Sequence, residues 1–270
     1  MRMPARIVIA SVLVVAGLGA AVYWGTQRIF VKALAETEVS VPPYVAEQVQ
    51  FYLKDGKEIV TSNQTIARRR DGAVRITATI SNPNGTDRTG MSRIELPDGE
   101  TAMVIDSIRA KSTGRRPSEA VAARKNALLS TPPQCLLPAT GGSNPEVVDG
   151  EDTMYGVQAI RLVRQSAGST ERMVSWRLPD FECAEVQTFK QTANAATGDW
   201  ETIQGVRLTG FVATDPDPNI FTNWQNYAEM TPSDLKRAFF RARGVTAAQC
   251  AKCYSDETKA DATYNQWNAQ

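Results

Sequence analysis

Residues 71–80, DGAVRITATI, decide the fold. Val74, Ile76, Ala78 and Ile80 recur at every second position, so an extended chain puts all four on one face. Asp71-Gly72 in front of them supplies a tight turn. The same punctuation recurs on both sides. Upstream, Val49, Phe51 and Leu53 alternate with polar neighbours as far as Asp55-Gly56, and Lys57–Ser62 runs on from there. Downstream, SRIELP reaches Asp98-Gly99 and ETAMVID continues. Three Asp-Gly dipeptides between alternating segments predict an antiparallel meander with one buried face.

From about 112 to 150 the alternation stops. Residues 117–129 (PSEAVAARKNALL) read as a short helix, and 131–150, rich in Pro, Gly, Ser and Asn, as a long loop. Strands are expected again at 156–164, 172–178, 184–192 and 200–209. Thr231-Pro232-Ser233-Asp234 then provides an N-cap, a proline at the first helical position and an acid in the first turn, and the helix should stop at Gly244. The expected class is α+β, mainly antiparallel β: a curved sheet or half-barrel with one or two packed helices. Residues 49–230 form its β-rich domain and 231–270 a C-terminal helix and tail.

Ahead of this domain, Arg2 and Arg6 precede an uncharged run from Ile7 to Trp24. Its eighteen residues make roughly 27 Å of helix, close to the hydrocarbon thickness of a bilayer. A cleavable export signal has a shorter apolar core. Ala33-Leu34-Ala35 has the form of a cleavage site but lies far beyond the run, behind Arg28 and Lys32. Residues 1–25 are therefore read as one transmembrane anchor and 26–48 as a stalk or linker helix. This predicts a single-pass protein of the inner (cytoplasmic) membrane with its main domain in the periplasm or outside.

Composition narrows the chemistry. The chain has no histidine and a formal charge of +1. Ser-His-Asp triads, Cys-His dyads and HExxH zinc sites are excluded, and no basic surplus points to nucleic acid. No catalytic residue, metal or cofactor is expected.

The four cysteines are Cys135, Cys183, Cys250 and Cys253. Behind an export signal an even number favours disulfides, and four allow three connectivities. Cys135–Cys183 is the preferred pair, because the two flank a hairpin region and close a long loop; a pair of buried free thiols is the alternative. Cys250-Ala-Lys-Cys253 is a CxxC, which makes a thiol-redox role a competing reading. It lacks the preceding βαβ strand that such motifs follow, and Tyr254 stands where a haem motif has histidine.

Three further sets of residues carry competing readings. Arg68, Arg69 and Arg70, with Arg75 beyond the turn, are candidates for lipid phosphates or an acidic partner; strand alternation splits them across both faces, so a solvated hairpin tip is expected. Asp215 and Asp217 each precede a proline, which suits a turn better than a calcium loop. Phe221, Trp224 and Tyr227, at i, i+3 and i+6, are read first as core residues sealing one end of the sheet, and second as ligand-binding side chains at a half-barrel's mouth.

Several strings, ARRRDGAVRI at 67–76, WRLPDFEC at 176–183, DPDPNIF at 215–221 and YAEMTPS at 227–233, resemble a group of uncharacterised secreted bacterial envelope proteins. The resemblance spans about 49–235 and implies an upstream cysteine paired with the one ending the WRLPDFEC string. More loosely, the layout is similar to the LolA/LolB-like half-barrel, which implies a lipid or lipoprotein ligand. The expected function is a membrane-anchored extracytoplasmic binding or interaction module, held in the membrane through residues 7–24, with a lipid or an envelope protein as partner. A structural subunit of an envelope complex and a CxxC redox protein are the rivals.

Overall fold

The computed structural model describes residues 40–81, 88–129, 135 and 145–254. The chain divides into two units, 1–39 and 40–270, and the described residues all belong to the second. The anchor expected at 7–24 and the tail at 255–270 lie outside them. Among the described residues no helix is long and apolar enough to cross a membrane.

Twelve strands form one open sheet. The first six make a meander: β1 (Tyr44–Lys54), β2 (Lys57–Arg68), β3 (Val74–Ser81), β4 (Arg88–Glu95), β5 (Glu100–Ile105) and β6 (Ala110–Arg115). The chain then passes through helix α1 (Ser118–Leu129) and starts again at the far edge. A second meander runs back inward: β7 (Val147–Met154), β8 (Val157–Gln165), β9 (Glu171–Leu178), β10 (Ala184–Ala193) and β11 (Trp200–Val212). Strand β11 lands beside β1, so the seam between the meanders lies mid-sheet, with Val45 opposite Val212 and Tyr52 opposite Gln204. The two-residue β12 (Ala228–Glu229) adds the sole parallel pairing among the described residues, against β6.

The hairpins follow from their turns. Asp55 and Gly56 have φ of 52° and 70°, as the two central residues of a mirror-image turn require, and they bring Lys54 opposite Lys57. Tyr155-Gly156 joins β7 to β8 in the same way, with φ of 51° and 78°.

Two expectations need correction. Residues 44–48, assigned to a linker helix, are the start of β1: Tyr44, Ala46 and Gln48 are buried while Val45 and Glu47 between them are not, a period of two that no helix shows. The loop expected at 131–150 contains the start of β7, which extends to Met154. Its sequence, VVDGEDTM, is acidic and exposed along most of its length, so it carries no hydrophobic alternation to read.

Three apolar clusters hold the sheet. Tyr44, Ala46, Leu208 and Phe211 pack with Leu178, Phe181 and Val186. Ile94, Ala102 and Val104 are covered by Phe221 and Trp224 from the segment that follows β11. Ile105 and Ala110 are covered by Leu235 and Phe239 of α2 (Pro232–Ala242).

Helix α2 begins as its sequence specifies. Thr231 Oγ1 accepts the Asp234 N–H at 3.1 Å and donates to Asp234 Oδ2 at 2.6 Å, while Arg237 donates to Oδ1 at 2.7 Å. The Thr231 hydroxyl first, and then Arg237, favour the ionised carboxylate and hold its pKa below 3.8. A depressed pKa means that the cap is complete at neutral pH and is lost as pH falls through the folded value. We expect the Asp234 amide resonance to titrate with a midpoint below 3.8; an unshifted midpoint would remove the cap from the account.

Candidate functional site

The period of two places Tyr44, Ala46, Gln48, Gln50 and Tyr52 on one face of β1. Register carries that face outward in both directions. Gln48 faces Gln64 and Ala46 faces Ile66 on β2; Ile66 faces Ile76, which faces Arg93. On the other side Gln50 faces Val206 and Tyr52 faces Gln204; these face Thr188 and Lys190 of β10. A groove of about 450 Å³ lies over these residues, at the seam of the two meanders.

Its lining is rich in amides: Gln48, Gln50, Gln64, Gln187 and Gln204, joined by Thr61, Thr188, Arg93, Lys190 and Glu185. Some of these groups are fixed by the fold. Gln48, only 4% exposed, donates to the Val186 carbonyl at 2.6 Å. Gln50 Oε1 accepts from Ser62 at 3.1 Å, and Gln187 Oε1 accepts the Leu208 N–H at 3.3 Å. The Thr188 hydroxyl donates to Glu185 at 2.7 Å. Others are open to a ligand. Among the described residues the Gln64 and Gln204 amides make no hydrogen bond, whereas Arg93 is held by Glu95 at 2.7 Å. Gly205 also lines the groove, and a Cβ there would sit 2.3 Å from the Thr188 carbonyl oxygen and 2.7 Å from the Phe189 ring. Any side chain there forces the strands apart.

The residues singled out from the sequence lie elsewhere. Phe221 and Trp224 are fully buried against Ala67, Ala73, Ile94, Ala102 and Val104, with Tyr227 at the margin. They pack as core residues and do not line the groove. Nor do the three arginines form a free basic patch. Arg68 is buried and paired with Glu182. Arg69 pairs with Asp71 at 2.6 Å and lies over the Phe221 ring, and Arg70 pairs with Asp215 at 3.2 Å. Arg75 is buried too, donating to Asp106 at 2.5 Å, Ser92 at 2.9 Å and the Ile220 carbonyl at 2.5 Å. It thereby ties the segment carrying Phe221 to the sheet. Strand alternation alone suggested a solvated tip, because Glu182, Asp215 and Asp106, which pair with Arg68, Arg70 and Arg75, are remote in sequence.

Cys135 is bonded to Cys183 and Cys250 to Cys253. The second bridge sits at the start of a single helical turn, α3 (Ala251–Tyr254). Beside the first, Arg177 donates to Glu146 through both terminal nitrogens, at 2.7 and 2.9 Å, and to the Cys135 carbonyl. Burial alone would lower the guanidinium's pKa; the hydrogen bonds and charge of Glu146, aided by Glu185, outweigh it and raise the pKa.

Sequence reasoning missed the glutamines. Gln48 and Gln50, two apart on a strand whose opposite face carries Val45, Val49, Phe51 and Leu53 beside Glu47, are the signal that this face meets something polar.

No protein-family model matches the chain, and no curated protein matches it. Solved structures with some similarity include a conserved protein from Thermus thermophilus, at 11% identity and TM-score 0.36, covering 77% of this chain and 99% of that one. The Pseudomonas aeruginosa MucA/MucB complex gives 17% identity and TM-score 0.37, over 71% of this chain and 59% of that one. An outer membrane lipoprotein-sorting protein domain from Vibrio parahaemolyticus gives 10% and 0.27, over 71% and 93%. At these scores the likeness assigns neither a family nor a function.

Proposed function

We propose that this chain is a non-catalytic binding module of the cell envelope, anchored through residues 7–24, whose ligand lies in the groove at the seam of the sheet. The amide-rich lining carries this reading. A bare acyl chain would cover Gln64 and Gln204 without offering them a hydrogen bond, at a cost of about 1–3 kcal/mol for each neutral group. A headgroup or an extended polypeptide satisfies them. The proposed ligand is therefore the polar part of an envelope lipid or lipoprotein, with Tyr52, Ile66, Ile76, Met173 and Val206 giving apolar contact beside it.

Native mass spectrometry of the full chain extracted in detergent tests this. A co-purifying ligand is expected, and Gln64→Leu with Gln204→Leu should weaken its retention about tenfold or more, since each hydrogen bond contributes roughly 0.5–1.5 kcal/mol. A ligand retained equally by the double variant would take the amides out of the site. Finding no ligand at all would remove the binding reading.

A further inference from the structure

We propose that the tip of the β1–β2 hairpin docks into the surface of an anionic lipid membrane, independently of any N-terminal anchor. Three features of the tip support this. The last residues of the hairpin first pair only with each other among the described residues: the ladder to β11 ends at Tyr52 and the ladder to β3 at Ser62. Four large apolar side chains then stand exposed on it, Tyr52, Leu53, Ile59 and Val60, between 39% and 47% accessible.

Their arrangement selects the partner. Tyr52 faces Ile59, and Val60 faces Phe51, two residues before Leu53, so Tyr52 and Ile59 lie on one face of the ribbon and Leu53 and Val60 on the other. A protein partner covers one face of a two-stranded ribbon. A lipid interface surrounds an inserted finger and covers both.

Charge is the third feature. Lys54 and Lys57 sit directly opposite one another at the end of the ladder. Two like charges so placed repel, and neither has an ion-pair partner among the described residues. Glu58 next to them is held by both terminal nitrogens of Arg207, at 2.7 and 2.9 Å. Asp55 in the turn leaves the two lysines in excess. Lipid phosphates would relieve the repulsion at the depth where the apolar side chains enter. Tyr52 and Thr61 at the hairpin's root also line the groove, so the docked tip brings the groove to the lipid surface.

The full chain offers a direct test, because its described cysteines are all bridged and an added thiol takes the only label. An environment-sensitive dye on Val60→Cys is compared with one on Val212→Cys, at the other end of β1, in vesicles of phosphatidylcholine with and without phosphatidylglycerol. Leu53→Cys serves as a second tip reporter should Val60→Cys fold poorly. With anionic vesicles the tip dye should shift to the blue and be quenched by brominated lipid at least about twofold more than the dye at 212. Lys54→Glu with Lys57→Glu should abolish the difference. No tip shift, an equal shift at 212, or indifference to the lysine reversal overturns the proposal. So does a tip shift without lipid that grows with protein concentration, which would assign the tip to a second copy of the chain.

Discussion

Trp224→Ala should lower the stability of the domain by about 3–5 kcal/mol, the range for deleting a buried aromatic ring. Trp224 is 1% exposed, its indole N–H donates to the Phe221 carbonyl at 2.8 Å, and Lys111 lies over its ring at 5.2 Å. Alanine there opens a cavity over Ile94 and Val104 and unties the segment that covers them. Urea unfolding of wild type and variant measures the loss. The folded fraction should still retain a groove ligand, since the ring contributes nothing to the groove. A small stability change with loss of ligand would reverse the roles assigned to the aromatic set and the glutamines.

The second large effect is expected at Arg177. It is 6% exposed, and the Glu146 side chain opposite is 8% exposed. Arg177→Met removes the guanidinium from Glu146 and from the Cys135 carbonyl together, at about 3–5 kcal/mol, the range for deleting one partner of a buried ion pair. Adding Glu146→Leu should restore much of that, because a buried ion pair contributes far less net stability than the loss of one partner removes. Denaturation of both single variants and the double variant completes the cycle. If the double variant is no more stable than Arg177→Met, the destabilisation comes from the lost Cys135 contact. The bridge beside it closes a loop 48 residues apart in sequence. Chain entropy puts its contribution at about 4 kcal/mol, so reduction should be comparably costly.

Most of the sheet was legible in the sequence. Asp-Gly turns mark three reversals, and the alternation of Val74, Ile76, Ala78 and Ile80 gives the strand between two of them. The helix after Thr231 was equally plain, because an N-cap, Pro232 and Asp234 act on the backbone locally. What stayed hidden depends on distant partners. Strand β7 is held by its ladder to β8 and not by apolar alternation. Arg68 becomes a core residue only because Glu182 approaches it from the second meander. The groove is a property of register: Gln48, Gln64 and Gln204 come together only once three strands are aligned. Amides carry no charge and no period of their own, so only the two-residue spacing of Gln48 and Gln50 hinted at them.

The seam between β1 and β11 has a consequence for the order of events during synthesis. Each meander is built from adjacent hairpins and can form from short-range contacts as the chain emerges. Strand β1 is complete early, yet the strand that covers its outer edge comes only after β7–β10. Until then Val45, Val49 and Phe51 lie along an uncovered edge, a template for pairing with the wrong chain. Closing the seam is thus the slow, non-local step, and the ligand groove first exists when that step is finished.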